Sequence, residues 1–443
     1  MPKFRRRATT DRVSKPLAIF LLVFASVSCS APVAGVYAQK FQPNYDESKV
    51  PRYQLPPLIE PDIQEGDDVA EKWGARRVEL LAIFSNQMYG MAPDADYNLQ
   101  CELAESGAAC GGKAKRQQWL VNLSTGSGGV SIGLLVYTPS QAAEPVPCFL
   151  GLNFNGNHTV ALDREIPVSK SWVRENEEAG TDGHRATEAG RGTGSAAWPV
   201  EQIIDAGLGV ATAYYGDIDP DFDDGFKNGV HALFPDHRPS AKHPERWGSI
   251  AGWAWGLSRL LDCLEKNVSE VDSGRVAVIG HSRLGKAALW AGAVDTRFTA
   301  VISNNSGCGG AALSRRAYGE TVGRINDSFP HWFCPNFKQY SENEENLPID
   351  QHQLLAVIAP RMLYVASASE DRWADPTGEF MSFNLANEAY RMLAATSDDN
   401  QVSASAPLRL GYHLRHGKHA INAWDWTHYI QFLRQLSVSQ KAD

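Results

Sequence analysis

Three residues in the second half of this 443-residue chain have the types needed for base-assisted nucleophilic attack: Ser282, Asp371 and His419. A serine hydroxyl is a poor nucleophile until a base takes its proton, and the base must itself be oriented by an acid. Together the three describe acyl transfer: attack on a carbonyl, a covalent ester on the serine, then release by water. Each has an ordinary alternative. Ser282 follows a glycine and precedes a helical pattern, so it could simply cap that helix. Glu370 stands beside Asp371 as a second acid, and His416 is a second base on the same loop as His419.

The surrounding pattern weighs on these alternatives. Residues 275–279 alternate branched and small apolar side chains and predict a buried strand; Leu284, Ala287, Ala288 and Gly292 recur at helical spacing. A strand entering a helix through a tight turn, with serine at its apex, is similar to the nucleophile elbow of α/β-hydrolases. The strict elbow has glycine two residues after the serine, whereas here Leu284 takes that place and the glycine is Gly285. In that superfamily the chain order is serine, acid, histidine, each acid and base on a loop after a strand. Asp371 follows a predicted strand at 362–366, and His419 follows one at 408–414 and precedes a predicted helix over 423–436.

Further strands are expected at 146–154, 208–215 and 300–303, and a hairpin pairs 118–123 with 130–138. Helices are expected over 71–88, 198–206, 250–267, 350–358 and 378–395. The alternation predicts an α/β fold: a three-layer αβα sandwich of the α/β-hydrolase type around a mostly parallel central sheet. One catalytic domain covers 69–437, preceded by an extended arm over 39–68. Residues 160–198 are polar and glycine-rich and read as a long surface loop. The acidic run Asp217, Asp219, Asp221, Asp223, Asp224 ends at Gly225, but that glycine is in the wrong register for a calcium loop, so a solvated loop is expected.

Six basic residues precede a short apolar run at 17–27, and Val36-Tyr37-Ala38 suits a signal peptidase; cleavage is expected after Ala38. Cys29 lacks the flanking leucine usual for a lipid anchor. The protein is therefore expected to be secreted or periplasmic, with no membrane span, and a monomer. The net charge is −9, and loss of the leader takes it to about −14, which disfavours nucleic acid as a partner. Export permits disulfides. Cys101 with Cys110 and Cys308 with Cys334 are the expected pairs, while Cys148 and Cys263 read as core thiols. Nothing implies a cofactor, and no Cys/His ladder implies a metal.

The stretch Gly280-His281-Ser282-Arg283-Leu284-Gly285-Lys286 resembles the G-x-S-R-x-G-K signature of carbohydrate esterase family 15, the glucuronoyl esterases. The likeness extends to 73–93, 153–156, 213–221, 306–310, 331–333 and 347–352, segments that resemble bacterial members. It implies Ser282 as nucleophile, His419 as base and then acid, and Arg283 on the oxyanion through backbone N–H and guanidinium. It implies Lys286, Glu320 and Trp373 as the groups that hold a glucuronate ring, with Trp332 as a rival aromatic. Fungal members carry their glutamate where this chain has Asn305, so the resemblance points to the bacterial variant with Asp371. Their cysteine before the nucleophile is His281 here. The implied substrate is an ester of (4-O-methyl-)glucuronic acid, as in lignin–glucuronoxylan cross-links. Rival readings are an acetyl xylan or pectin esterase, against which Arg283 and Lys286 count, and an inactive carbohydrate-binding relative, against which the triad counts.

Overall fold

In the computed structural model the described residues are 41–59, 68–396 and 409–438; the leader expected over 1–38 lies outside them. Nine strands form one sheet: β1 (Asn98–Ala109), β2 (Ala114–Thr125), β3 (Gly128–Pro139), β4 (Val146–Asn153), β5 (Gly209–Tyr214), β6 (Val271–His281), β7 (Ala300–Asn304), β8 (Met362–Ala368) and β9 (Leu410–Arg415). Their spatial order is β1-β2-β3-β5-β4-β6-β7-β8-β9. The first three strands pair antiparallel, as do β3 and β5, and every pair from β5 to β9 is parallel. The parallel strands are joined by crossovers that must cover the sheet with helices.

Strand side chains alternate between two apolar clusters, as the two-residue period of a strand requires. Val276, Val278, Leu363 and Val365 face one side, where they meet α1 (Val69–Phe84), α3 (Ser249–Asn267) and α4 (Arg283–Val294) through Phe84, Trp253, Leu257 and Leu289. Ala277, Ile279, Met362 and Tyr364 face the other, against α2 (Val200–Asp205) and α8 (Ala423–Val438) through Ile203, Trp426 and Tyr429. Two short helices, α5 (Val322–Ser328) and α6 (Gln351–Ala356), and the long α7 (Pro376–Thr396) fill the remaining connections. Each fully buried aliphatic side chain contributes about 1.5–3 kcal/mol, so truncating Val278 in the central strand would weaken both its sheet neighbours and the α3 contact. The described residues from Gln42 onward form one compact unit, and among them no helix is long and apolar enough to cross a membrane.

β1 is absent from the sequence-based expectation. It is an edge strand whose polar–apolar alternation runs only from Asn98 to Leu103, is broken by an irregularity at 103–105, and continues in small and polar residues that are mostly exposed. Its presence also explains why the first expected disulfide does not form. Cys101 is paired with Val121 near the start of β1, and Cys110 lies past its end. Nine residues of extended chain span roughly 30 Å, far beyond the reach of a disulfide. Cys308 and Cys334 are likewise buried but unbridged, the Cys334 thiol facing the Asn86 carbonyl at 3.6 Å; all six described cysteines are free thiols. Cys101 instead lies against Cys263 of α3.

The segment 160–198 is more than a surface loop. It buries Val160, Val173 and Ala179, and holds a small hairpin of Thr181–Asp182 with Arg185–Ala186. The acidic run after β5 is only partly solvated: Asp219 and Asp221 are buried, Asp219 against His231 at 3.0 Å, while Asp223 is exposed. Paired donors, supplied from elsewhere in the fold, make that burial possible.

Candidate active site

Ser282 stands between β6 and α4 with φ 57° and ψ −129°, a region that non-glycine residues avoid. It occupies the N-cap position of α4, yet its side chain makes no capping hydrogen bond. The capping role is thus not what it does; the hydroxyl is turned outward by a strained turn. The surrounding glycines explain the motif's spacing. A Cβ on Gly280 would lie 2.0 Å from the Leu284 carbonyl oxygen, and one on Gly285 would meet Ser306 Cβ at 3.0 Å and the Gly280 carbonyl at 3.1 Å. The helix leaves the strand so closely that both positions must lack a side chain, whereas Leu284 itself points into the core.

Ser282 and His419 both line one cavity of about 240 Å3, together with Arg283, Lys286, Asn305, Glu320, Trp332 and Trp373. His419 comes from the loop after β9. Its Nδ1 is 2.5 Å from Oδ2 of Asp371, which follows β8. Burial pushes the Asp371 carboxyl up, but the hydrogen bond and charge of His419, with a further bond from Asn305, leave it below the usual carboxylate range. The alternatives fall away from this centre: His416 is 88 % exposed and pairs with Glu370 at 3.3 Å on the surface. His281 packs its ring 4.5 Å from that of His419 and bonds Asn304 Oδ1 at 2.6 Å; burial, then the neighbouring imidazole, push it down to about 3.

The remaining predicted groups converge on the same cavity. Lys286 lies one turn into α4, its N–H bonded to the Ser282 carbonyl at 3.2 Å, and its Nζ is buried 2.5 Å from the Ser306 carbonyl and 3.7 Å from Glu320. Glu320 is buried on the cavity wall. Arg315 and Arg316 turn away from it, to Asp350 and to Asp375 and Glu47. Burial raises the Glu320 carboxyl against the pull of Lys286 and Arg283. Trp373 bonds Glu320 through its side chain, and its carbonyl accepts the Glu320 N–H at 3.0 Å. Trp332, the rival aromatic, forms another wall. Such a pocket gathers a serine hydroxyl, an imidazole bonded to a carboxylate, two cations and aromatic walls, the group types that acyl transfer calls for.

Several supporting residues take roles that the sequence pattern does not give. Asn305 holds φ 48° and donates to Asp371 at 2.8 Å. Glu379 of α7 is fully buried beneath the site, accepting from Ser367 Oγ at 2.6 Å and Gly307 N–H at 3.0 Å, and burial pushes it up to about 8. Arg415 binds the carbonyls of His416, Lys418 and Ala420 at 3.1, 2.9 and 3.0 Å and so shapes the histidine loop.

A family model described as glucuronyl esterase of fungi matches residues 241–394. The chain is 46% identical over 425 residues to carbohydrate esterase MZ0003 of an unknown prokaryotic organism, covering 94% of this chain and 96% of that one. A solved promiscuous CE15 esterase from a marine bacterial metagenome is similar with a TM-score of 0.80 and 46% identity, over 89% of this chain and 100% of that one. The glucuronoyl esterase of Solibacter usitatus is similar with a TM-score of 0.77 and 42% identity, over 88% and 99%. Likeness of that extent, in sequence and in backbone alike, assigns the chain to carbohydrate esterase family 15, in its bacterial form, within the α/β-hydrolase superfamily.

Proposed function

We propose that the protein hydrolyses esters of glucuronic acid or 4-O-methyl-glucuronic acid, as found where lignin alcohols are joined to glucuronoxylan branches. Ser282 Oγ attacks the ester carbonyl while Nε2 of His419 takes its proton. Asp371 holds Nδ1–H and balances the imidazolium charge. The oxyanion is met by the Arg283 backbone N–H and guanidinium. His419 then protonates the departing alcohol, leaving a glucuronoyl ester on Ser282. Water, deprotonated by His419, attacks that ester, and the C–O bond to Ser282 breaks to give free glucuronate. Lys286, Glu320 and Trp373 bind the sugar ring.

The observation that carries this reading is the 2.5 Å contact of His419 with Asp371 on a cavity shared by Ser282, Lys286 and Glu320. The charge of the chain agrees with it: a neutral ester is not repelled by a net charge of −9, and the carboxylate product is. Action on a wall polymer also agrees with export by the leader expected to end at Ala38.

The test is hydrolysis of benzyl glucuronate beside acetylated xylan, with Ser282→Ala as control. Release of glucuronate by the wild type, abolished in the control, is expected. Acetyl release without glucuronate release would replace the substrate with an acetylated sugar.

A further inference from the structure

The acidic run after β5 contains a carboxylate with more donors than packing alone requires. Asp221 is 1 % exposed. Its Oδ1 accepts from His331 Nε2 at 2.9 Å and Trp332 Nε1 at 2.7 Å. Its Oδ2 accepts from the Tyr215 hydroxyl at 3.0 Å, lies 2.9 Å from Arg174 Nη2, and takes a short contact from Nη1 of Arg283. Burial pushes the carboxyl up, but the His331 bond, the two guanidinium charges and the Trp332 bond hold it well below the usual range.

Two guanidinium groups face one carboxylate, so positive charge is left over at the cavity wall. Arg283 is also enclosed by the rings of Phe154, Phe329 and Trp332, at 5.6, 5.7 and 5.1 Å. One edge is thus taken by Asp221, while the buried Nε has no hydrogen-bond partner. Donors fixed before the charge develops need no reorganisation when it does, and an arginine side chain is otherwise highly mobile.

We propose that Asp221 is a positioning residue for ester cleavage: it clamps one edge of Arg283 so that the guanidinium is held ready for the oxyanion at Ser282, and it sets Trp332 as a wall of the same cavity. The proposal rests on Arg283 acting at the oxyanion. Arg174, reaching in from the 160–198 segment, shares the carboxylate and keeps it from cancelling the charge of Arg283 in full.

The test is a double-mutant cycle of Asp221→Asn and Arg283→Met on benzyl glucuronate. Removing an oxyanion group costs roughly 100- to 1,000-fold in kcat. Asp221→Asn is expected to lose about 30- to 300-fold in kcat with KM within about threefold, on the same scale. In the Arg283→Met background the same change should cost less than about threefold, because coupled residues are non-additive. A full, additive loss in that background would overturn the proposal, as would a folded Asp221→Asn enzyme with near wild-type kcat. Should that variant not fold, Asp221→Glu keeps the charge and displaces the clamp. A fall in its kcat at wild-type melting temperature supports the proposal, and wild-type kcat overturns it. If the wild type cleaves acetyl esters only, the substrate assignment fails, and the same cycle on the acetyl ester decides the role of Asp221 separately.

Discussion

Oδ2 of Asp371 lies 2.5 Å from Nδ1 of His419, and the same oxygen receives a second hydrogen bond from Asn305 at 2.8 Å. The amide at 305 thus supports the acid instead of supplying it. A carboxylate with two such donors stays ionised against its burial.

Asp371→Asn is expected to lower kcat by roughly 1,000- to 10,000-fold, as loss of a triad acid does elsewhere. Glu370→Gln, on the surface beside His416, should stay within about twofold, the range of a weak exposed pair. Steady-state kinetics of the two variants check this, and the reverse pattern would move the acid by one residue. The folded Asp371 pKa is depressed, so the stability it contributes is present above the ordinary carboxylate value of about 4 and is lost as pH falls below it.

Arg415→Met removes the brace on three loop carbonyls and strips the buried Asp425 of its guanidinium, which lies at 3.2 Å. Breaking a buried pair costs about 3–5 kcal/mol. A lower melting temperature is expected in thermal unfolding, together with a kcat loss as the His419 loop relaxes. An unchanged melt would show that the loop is held by other contacts.

Glu379 is an acid whose folded pKa is raised, to about 8. The folded protein therefore keeps a proton that the unfolded chain releases above its ordinary pKa near 4.3. By linkage, the stability from this group is greatest below that value and declines as pH rises toward 8. Glu379→Gln preserves partners for Ser367 and Gly307 without an ionisable group. Its melting temperature should match the wild type near pH 4 and exceed it by at least about 2–5 °C at pH 9, for a gain of no less than roughly one or two kcal/mol. Parallel pH profiles of the two melting temperatures would refute this.

Tyr45, near the start of the described residues, has its ring 4.6 Å from the Arg372 guanidinium and 6.1 Å from the Tyr318 ring, while the neighbouring Asn44 carbonyl accepts the Gly319 N–H at 2.8 Å. These contacts brace the two loops that carry Glu320 and Trp373. Tyr45→Ala is expected to raise KM for a glucuronate ester roughly three- to tenfold, the equivalent of about 1 kcal/mol of lost cation–π contact, with kcat nearly unchanged. A kcat effect with KM intact would place Tyr45 in the chemistry itself.

Much of this architecture is legible in local pattern. The parallel strands, the long helices and the turn at Ser282 follow from periods of two and 3.6 residues and from glycine, all of which act over a few neighbours. The hairpin of β2 and β3 follows the expected one, with strands that run one to four residues longer at each end. β1 escaped because its apolar face is short, Leu99 and Cys101 alone packing on the core before the alternation breaks into small and polar residues.

The chain by itself determined the order of serine, acid and histidine at successive strand ends, since that order is a property of the sequence once the strands are recognised. Folding alone decided which carboxylates are buried and which are wet, because burial depends on donors arriving from far away: Arg283 reaches Asp221 across 62 positions, and Asn305 reaches Asp371 across 66. The cysteines make the same point. Cys101 and Cys110 are near in sequence, yet the extended backbone of β1 carries them apart, and Cys101 meets Cys263 of α3 instead.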